Sequence, residues 1–335
     1  MTPSDNDRMM TMITGYWITQ IVHAIAKYSL ADHLALGPAT AADIAKRAGT
    51  HPSATFRLLR TCASLGLVTY DAESRFATTS LLDTLRTDNP QSLKDTALVL
   101  AGSGQWLTWG RFAEAVKTEH PQAVAALGKE AFDYLAEMPD ESRAFIGATT
   151  RGLASVTREV ARLLDTRSTT IVADIGGASG SLLHAVLKAN PTPRGIIFDR
   201  PNIVESAIAA ATENGLEQRI TAIGGDFFEA IPAADLYLLR YILHDWDDAA
   251  CIRILRNCRH ALLPGGRVTV VEHVLGEIGE VGPAPLMDMN MMVMLRGRER
   301  SHAEYRHLFE AAELRSTRMI PTNTPMAAII EAVAA

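Results

Sequence analysis

The sequence predicts a protein of the α/β class with two domains: a mainly α, winged-helix-like domain first, then a mostly parallel sheet with helices on both faces. Three observations predict it. The chain has 335 residues, more than one domain usually holds. Residues 1–100 show helical periodicity and a short hairpin pattern, whereas residues 166–335 alternate apolar strands with amphipathic helices. We expect residues 101–165 to form a helical linker.

The composition is that of an ordinary globular protein, with 47% hydrophobic and 21% charged residues. The formal net charge of −6 gives no general attraction to nucleic acid or to an anionic membrane. The three cysteines form no CxxC pair, which suits a reducing compartment and argues against a disulfide framework or a structural zinc site. No signal-peptide pattern and no apolar run of about 18 residues is present. We therefore expect a cytoplasmic protein without membrane or nucleic-acid partners.

Residues 12–36 have apolar side chains about three and four positions apart, which predicts a helix. The stretch is more apolar than a helix surrounded by water should be, and a helix that is apolar on most faces is buried. Its partner could be a second chain or the rest of its own domain. The pattern alone leaves both interpretations open.

Residues 40–79 follow the order helix, turn, helix, hairpin that is typical of a winged helix. Thr40 or Ala41 opens a short helix that ends at Gly49, and Pro52 and Ser53 open another that ends at Gly66. LVTY and RFATT then flank the polar turn DAES. A DNA-reading module needs a basic recognition helix, but the second helix offers only two arginines in an acidic protein. A structural or dimerising role is therefore favoured over DNA binding.

After about residue 165 the sequence alternates between apolar strands and helices. Strands of this kind, separated by amphipathic helices, form a mostly parallel sheet that is covered on both faces. Ligands in such sheets lie outside the carboxyl ends of the strands, so the residues that follow each strand are the candidate site. The predicted strands are 169–174, 195–199, 219–226, 235–240 and 267–272.

The first strand ends in DIGGASG at residues 174–180. This loop satisfies neither the dinucleotide pattern GxGxxG nor the Walker pattern. Asp174 precedes the glycines, and a carboxylate there suits a cationic ligand better than a pyrophosphate. Glycines let the backbone lie close under a flat ligand, although a tight turn capped by Ser179 or Ser181 would have the same sequence.

Polar residues also follow the next three strands. Asp199 can accept both hydroxyls of a ribose, and Asp226 with Phe227 can bond the amino group of an adenine and stack on its ring. Arg240 and then His244 follow the fourth strand. Each acid alone is often only a turn or cap residue, but several in register imply a ligand with a ribose, an adenine and a positive charge. S-adenosylmethionine has these groups, whereas NAD does not fit.

Six motifs follow one another along the chain: DIGGASG, FDRP (198–201), GGDFF (224–228), LHDWDD (243–248), VVE (270–272) and GRERSHAEYRHLFEAAEL (297–314). Together they resemble the S-adenosylmethionine-dependent small-molecule O-methyltransferases of the plant caffeate and bacterial antibiotic-tailoring type, over nearly the whole chain. The phenazine and aromatic-polyketide methyltransferases are closest in style. The resemblance implies a Rossmann-like catalytic domain with a doubly wound, seven-stranded sheet at 166–335, a dimerisation domain at 1–100, a linker at 101–165 that contributes to the acceptor pocket, and a homodimer.

The resemblance also implies a role for each residue that matches a family motif. His244 is the general base, and Glu272 and Glu299 flank its ring and orient it. A carboxylate on the far ring nitrogen fixes the tautomer and stabilises the imidazolium. The remaining implied contacts are Asp174, Gly176, Asp199, Asp226, Phe227 and Arg240 with the cofactor, and Met287, Asn290 and Met291 with the acceptor.

The sequence departs from the family pattern at three positions. Ala178 replaces the third glycine of the loop, and Arg200 stands where leucine is common; we expect the backbone to tolerate both. Thr149 stands where a methionine often packs near the cofactor, and could alter the cofactor or acceptor pocket. No Asp/Asn cluster resembles the magnesium site of catechol-type methyltransferases, so we predict no metal.

Some of these residues also have plainer interpretations. Asp245, Asp247 and Asp248 suit the cap and first turn of the helix that follows them. Glu299 could pair with Arg296, Arg298 or Arg300. The five methionines of MDMNMMVML (287–295) could be ordinary core residues, although adaptable side chains also suit a pocket for a flat aromatic ring.

The predicted activity is methylation of a hydroxyl on an aromatic secondary metabolite, such as a phenazine or a polyketide-like phenol. The same fold and cofactor could serve N-methylation, decarboxylation or hydroxylation. A winged-helix regulator that senses the cofactor is the non-enzymatic alternative. His244 with both glutamates favours O-methylation, because an acceptor nitrogen would not need a base of this kind.

Overall fold

The computed structural model describes residues 3–323 and 327–335. These residues form two compact units. One consists of the residues up to Leu107 together with Phe132–Ala154, and the other of Thr108–Ala131 together with Ser155–Ala335. The domain boundaries that the sequence suggests near residues 100 and 165 stay a prediction.

Up to residue 154 the chain is helical apart from one hairpin. The elements are α1 (Asp5–Lys27), α2 (Leu30–Ala35), α3 (Ala41–Ala48), α4 (Pro52–Ser64), β1 (Val68–Tyr70), β2 (Phe76–Thr78), α5 (Lys94–Leu100), α6 (Ser103–Trp109), α7 (Phe112–Thr118), α8 (Ala123–Leu127), α9 (Ala131–Glu137) and α10 (Pro139–Gly147). β1 and β2 pair antiparallel. The helix, helix, hairpin order predicted for residues 40–79 is confirmed.

From residue 154 onward strands and helices alternate. The elements are α11 (Ala154–Leu163), β3 (Ile171–Ile175), α12 (Ser181–Ala189), β4 (Arg194–Asp199), α13 (Val204–Glu213), β5 (Ile220–Gly224), β6 (Ala234–Arg240), α14 (Asp248–Ala261), β7 (Leu262–Glu272), β8 (Val274–Leu275), α15 (Ala284–Met294), β9 (Arg300–Ser301), α16 (His302–Ala311), β10 (Leu314–Pro321) and β11 (Ala328–Ala334). Among the residues that the structure describes, no helix is both long and apolar enough to cross a bilayer.

The single helix predicted over 12–36 is two helices in the structure. Ser4 opens α1 with a capping box: its hydroxyl accepts from the Asp7 N–H, and the Asp7 carboxylate accepts from the Ser4 N–H. Ser29 separates α1 from α2 with a φ of +51°. A left-handed residue cannot continue a right-handed helix. The sequence has neither glycine nor proline near this break, so the periodicity gave no sign of it.

α1 exposes a row of large apolar side chains. Met12 is 70% exposed, Ile13 57% and Trp17 54%, and within this helix only Ile25 and Ala26 are buried. The described part of the chain therefore leaves these side chains uncovered. An exposed apolar patch of this kind marks an interaction surface, which favours a second chain over the rest of the domain as its partner.

The large sheet has seven strands in the order β10–β11–β7–β6–β3–β4–β5. The pairs β3–β4, β3–β6, β4–β5 and β6–β7 are parallel, whereas β11 is antiparallel to both β7 and β10. The predicted seven-stranded, mostly parallel sheet is confirmed. Because the chain runs from β3 to one side and later returns to its other side, the strand order reverses at β3, where such sheets form a ligand crevice.

The central strands are buried on both faces. Along β6, Leu236 and Leu238 belong to one core cluster, Tyr237 and Leu239 belong to the other, and all four are fully buried. Successive side chains of a strand point to opposite faces, so a strand covered on both sides reads as a continuous apolar run. The packed strands give a fixed base to the loops at their carboxyl ends.

Candidate active site

The loop after β3 needs its first glycine. Gly176 has a φ of +67°, and a Cβ at this position would overlap the side chain of Ile242. Its N–H donates to the carbonyl of Phe198 on the neighbouring strand, at 2.8 Å. The loop therefore turns tightly over the end of the sheet and presents bare backbone at this point.

Ala178 is also left-handed, with a φ of +49°. Its N–H donates to the Asp199 carboxylate at 2.8 Å, so this bond across the two strand ends holds the strained residue. The backbone does accept alanine here, as the sequence led us to expect, at the steric cost that a left-handed conformation has for any residue with a Cβ.

The Asp199 carboxylate spans the glycine loop and its own loop. Oδ2 accepts from the Ala178 N–H, and Oδ1 accepts from the Arg200 N–H at 2.7 Å. Each carboxylate oxygen has a second lone pair, so both can accept another donor. A pair of ribose hydroxyls fits this arrangement.

Asp174 lies beneath the glycine loop, with only 3% of its surface exposed. A Cβ on Gly177 would come within 2.8 Å of its carboxyl carbon. Burial raises the pKa of Asp174 to about 6, against the opposing charge of Arg240. The Arg240 guanidinium donates to the hydroxyls of Thr157 and Ser181, at 2.7 and 2.9 Å. A buried acid with one partly compensating cation suits a positively charged ligand group.

The end of β5 carries the predicted adenine contacts. The exposed Asp226 accepts from the Phe228 N–H at 2.8 Å through Oδ1. Phe227 is half-buried, with its ring edge-on to Phe228 at 4.9 Å and to Trp246 at 6.0 Å. Trp246 belongs to LHDWDD, so the motifs GGDFF and LHDWDD meet in one aromatic cluster.

His244 lies in the 3₁₀ turn Leu243–Asp245 that follows β6, and it is buried. Three carboxylates surround its ring. Nδ1 is 2.8 Å from Glu299 Oε1 and 3.7 Å from Glu272 Oε2, and Nε2 is 3.4 Å from Asp245 Oδ1. The structure thus brings the three predicted catalytic residues together and adds Asp245.

The two glutamates are held from different directions. Glu272, at the end of β7, is fully buried, and its Oε1 accepts from the N–H groups of Ile242 and Leu243 at 2.9 and 2.8 Å. The Glu299 N–H donates to the Asp288 carboxylate of α15 at 2.9 Å. Within residues 3–323 and 327–335, the Oε2 atoms of both glutamates have no hydrogen-bond partner. The second oxygens therefore act on the imidazole through charge alone.

These charges reverse what burial would do to the histidine. Burial lowers the pKa of His244, but Glu272, Asp245 and Glu299 together raise it to about 10. Burial raises the pKa of Asp245 to about 6, against the attraction of His244. The site therefore stabilises the imidazolium, which is the form a base reaches after it takes a proton. The ligand atoms of His244, Glu272 and Glu299 also lie within 4.8 Å of one another, a spacing that could hold a metal ion; the expected absence of a metal stays a prediction.

The acids after His244 have three different roles. Asp247 caps α14 by accepting from the Ala250 N–H at 2.9 Å, as its position suggested. Asp248 pairs with Arg298 and Arg300, at 2.7 and 2.8 Å. Asp245 is no cap, because its carboxylate faces the imidazole. The alternative that Glu299 pairs with Arg296, Arg298 or Arg300 is not what the structure has. Arg298 and Arg300 bind Asp248, and Arg296 Nη2 lies 3.8 Å from Glu130 Oε1.

The predicted acceptor residues lie on α15, where Met291 is buried and Met287 and Asn290 are half-buried. Asn290 Oδ1 accepts from Trp109 Nε1 at 2.9 Å. The Trp109 ring stacks on Phe112, with centroids 5.0 Å apart and planes at 13°. Sequence reasoning missed Trp109, because only the fold brings residues 109 and 290 together. Its contact with a predicted acceptor residue makes it a candidate for the same pocket.

Thr149 and Arg200 mark the other two departures from the family pattern. Thr149 lies in the π-helical turn Ala148–Gly152, and its hydroxyl donates to the carbonyls of Phe145 and Ile146, both at 3.1 Å. Arg200 follows β4 with its N–H on Asp199. Both residues thus take part in local backbone structure.

Two family profiles match the chain: one described as an O-methyltransferase domain, over residues 109–315, and one as an O-methyltransferase dimerisation domain, over residues 10–88. Phenazine O-methyltransferase PhzM of Lysobacter antibioticus is 36% identical over 325 residues, which cover 97% of this chain and 95% of that relative. The 3-amino-4-hydroxybenzoate 4-O-methyltransferase of Streptomyces cremeus is 35% identical over 328 residues, which cover 96% and 89%.

A solved structure agrees with these relatives. Human N-acetylserotonin methyltransferase, in a complex with S-adenosylmethionine, superposes with a TM-score of 0.91 at 27% identity, over 99% of each chain. The family that the six motifs suggested is confirmed, and with it the methyltransferase fold. From its site, its strand order and these likenesses, the chain belongs to the O-methyltransferase family and carries that family's dimerisation domain.

Proposed function

We propose that the protein transfers the methyl group of S-adenosylmethionine to a hydroxyl of an aromatic small molecule, with His244 as general base. One observation carries the proposal. The His244 imidazole is buried, its Nδ1 is bonded to Glu299, and Glu272 and Asp245 add negative charge around it. This arrangement leaves Nε2 as the nitrogen that takes the proton.

The cofactor contacts follow from the first three strand ends. The Asp199 carboxylate holds the ribose hydroxyls, Asp226 and Phe227 hold the adenine, and the bare backbone at Gly176 lies under the methionine portion. The acid Asp174 faces the cationic end. When bound, S-adenosylmethionine supplies a methyl group that its sulfonium already activates. The relative solved with this compound supports the choice of cofactor.

The chain's own task in the reaction is to prepare the acceptor. A free phenol has a pKa near ~10, so little of it is ionised at neutral pH. The raised pKa of His244, about 10, makes its neutral imidazole about as strong a base as the phenolate. Proton transfer from the phenol to the neutral imidazole is then close to thermoneutral, and the neutral form increases as the pH rises toward this value. A base in this position typically contributes about 10²–10⁴-fold to the rate. Glu299 and Glu272 stabilise the imidazolium that results.

The acceptor is an aromatic hydroxyl compound of the phenazine or polyketide-phenol class. Met287, Asn290 and Met291 on α15, with Trp109, offer flat and adaptable apolar surface to such a ring. The relatives named for a phenazine and for a hydroxybenzoate support this class.

The protein works as a homodimer. The exposed apolar row of α1 and the match to a dimerisation domain over residues 10–88 support this. Sedimentation at micromolar concentration should give twice the mass of one chain, 36.3 kDa, and a charged residue at Trp17 should reduce it. A single-chain mass for the unaltered protein would contradict the proposal.

The test of the function has two steps. Calorimetric titration with S-adenosylmethionine and S-adenosylhomocysteine measures cofactor binding, and mass spectrometry then screens hydroxylated phenazines, quinones and polyketide phenols. Binding with the gain of one methyl group on oxygen is the expected result. A methyl group on nitrogen, or binding with no transfer to any acceptor, would reject O-methylation. No binding would reject the cofactor contacts.

A further inference from the structure

The segment Gly297–Arg300 contacts the His244 loop at more points than the Glu299 carboxylate. Arg300 is fully buried. Its guanidinium donates to the carbonyls of Leu243 and Trp246, at 3.0 and 2.8 Å, and to Asp248 Oδ1 from Nε and Nη2, at 3.0 and 2.8 Å. These acceptors lie on both sides of His244, so one side chain binds the loop before and after the histidine.

Gly297 brings the two segments into direct backbone contact. A Cβ at this position would overlap the carbonyl group of His244 and the backbone of Asp245. No side chain fits between the segments here, so the glycine allows the close approach that puts Arg300 within reach of the loop carbonyls. The Glu299 carboxylate reaches the imidazole from between these two anchors.

We propose that Arg300 is a positioning residue, which clamps the loop 243–248 onto the segment 297–300 and so keeps the His244 imidazole within hydrogen-bond distance of Glu299. The inference rests on the proposed function, in which His244 is the base. Arg300 acts through the loop, since none of its bonds reaches the imidazole.

Arginine suits this task for a geometric reason. Its planar guanidinium has five donors in a fixed fork and can bind several acceptors around one plane, whereas a lysine ammonium is a point charge on a flexible stem. A buried cation is tolerated only when it is paired and fully hydrogen-bonded, and Asp248 with the carbonyl groups meets that condition. A lysine at this position would keep the charge and lose the fork.

The effect on turnover should be large, because a displacement of about 1 Å in a reacting group can lower the rate about 10²-fold. We expect Arg300→Lys to lower kcat by about 10- to 100-fold. The affinity for S-adenosylhomocysteine should change less than about twofold, since the proposed cofactor contacts lie at the ends of β3, β4 and β5 and at Arg240 on β6, outside the clamped loop 243–248.

Arg298→Ala is the matched control. Arg298 is 49% exposed and binds the same acid, with Nη2 2.7 Å from Asp248 Oδ2, but it donates to neither Leu243 nor Trp246. Loss of one arginine next to Glu299 is thus common to both variants, whereas loss of the clamp occurs only in Arg300→Lys. The control should keep kcat within about twofold.

The deciding measurement is the titration of the His244 ring by NMR of protein labelled with ¹⁵N-histidine, assigned with His244→Gln. In Arg300→Lys the midpoint should move to lower pH by about one pH unit, because the ring loses its bond to Glu299; Arg298→Ala should leave it in place. An unchanged midpoint in a folded Arg300→Lys protein would overturn the proposal. A merely structural role would lower the melting temperature without moving this midpoint.

A second variant covers the case in which Arg300→Lys does not fold. Asp248→Asn keeps the guanidinium and its carbonyl bonds but weakens the anchor on the loop. Its His244 midpoint should fall below that of Arg298→Ala, and equal midpoints would overturn the clamp. The NMR readout needs no acceptor: if the unaltered protein transfers no methyl group while these midpoints move as expected, the proposed function fails and the positioning role of Arg300 stands.

Discussion

The two halves of the sheet's carboxyl edge use acidic side chains in different ways. At the ends of β4 and β5, Asp199 and Asp226 are partly or fully exposed and accept from backbone N–H groups of the adjoining loops. After β6 and β7, His244 and Glu272 are buried, and Glu299, from the segment before β9, is buried beside them. Each glutamate has one oxygen with no hydrogen-bond partner in the described residues. By the proposed function, the first half binds the cofactor and the second takes up a proton.

The difference indicates how a carboxylate that accepts from loop N–H groups can be told apart from one that shifts the pKa of a neighbouring histidine. A partly or fully exposed carboxylate that accepts from backbone N–H groups of the adjoining loops stays in contact with water. A buried carboxylate without its full set of bonds costs free energy, and such groups persist at functional sites. Substitutions in the two halves should therefore change different measurable quantities.

The largest effect should come from the histidine. We expect His244→Ala to lower kcat by about 10²–10⁴-fold, because the acceptor loses its base, while the dissociation constant of S-adenosylmethionine stays within about twofold. Mass-spectrometric turnover and calorimetry measure the two quantities. His260→Ala, an exposed histidine of α14, is the control and should leave both unchanged. Near-normal turnover in His244→Ala would mean that catalysis comes from positioning alone.

The next prediction separates the two halves by pH. His244 has a raised pKa of about 10, to which the bond to Glu299 contributes. The base must be neutral, so kcat/KM should rise with pH up to this region. A carboxylate stabilises the imidazolium, so Glu299→Gln should lower the pKa and move the rising limb to lower pH by about one pH unit. Asp199→Asn, in the other half, should leave the position of the limb unchanged.

If Glu299→Gln and Asp199→Asn shift the rising limb of kcat/KM against pH equally, the two halves of the site are not independent. All variants are measured with the same acceptor, so ionisation of the acceptor affects every pH profile of kcat/KM in the same way. An unmoved limb in Glu299→Gln would mean that its bond to Nδ1 does not control the base.

Asp199→Ala should affect the binding half alone. The carboxylate holds two backbone N–H groups and, by proposal, both ribose hydroxyls, and hydrogen bonds to a charged group are worth about 1.5–3 kcal/mol each. We expect the dissociation constant of S-adenosylmethionine to rise by about 10- to 100-fold, with kcat at saturation within a few fold. Calorimetry measures the first and steady-state kinetics the second. A fall in kcat as large as that of His244→Ala would contradict the division.

The smallest effect concerns Ala178. Its left-handed conformation has a steric cost that glycine avoids, although glycine also has more conformational freedom in the unfolded chain. We expect Ala178→Gly to raise the free energy of unfolding by at most about 1 kcal/mol, seen as a rise of roughly 2 °C in melting temperature. Ala185→Gly, inside α12, should have the opposite sign, because glycine destabilises a helix interior. If Ala178→Gly lowers the free energy of unfolding as Ala185→Gly does, glycine does not relieve the backbone strain at residue 178.

The sequence was sufficient to predict the alternation of strands and helices. DLYLLR reads as a strand because β6 is buried on both faces, and Thr40 and Gly49 bound α3 because they cap it. The break at Ser29 could not be predicted, since a left-handed serine has no sequence signature. The resemblance implied a doubly wound, seven-stranded sheet, but the order of its strands is known only from the structure.

The sequence singled out three residues that the structure brings together, but it did not predict their contacts. His244, Glu272 and Glu299 stood out as polar residues after strands or in a family motif. Glu299 and Arg300 are neighbours in the chain, yet one binds the imidazole and the other the loop backbone. Only the path of the segment 297–300 past the loop 243–248 decides that Glu299 faces the imidazole and Arg300 faces the loop backbone. The local sequence around Asp245 suggested a helix cap, because an acidic residue just before a helix commonly caps it. Only the fold shows that its carboxylate faces the imidazole.

The bond between the Glu299 N–H and Asp288 has a consequence for engineering. Asp288 lies on α15 between Met287 and Asn290, so the helix proposed to contact the acceptor also carries an anchor of the glutamate that binds His244. Libraries aimed at new acceptors should vary residues 287, 290 and 291 and keep 288 fixed. Such libraries would vary the shape of the ring that fits, while the bond between Asp288 and Glu299, and with it the geometry around His244, stays unchanged.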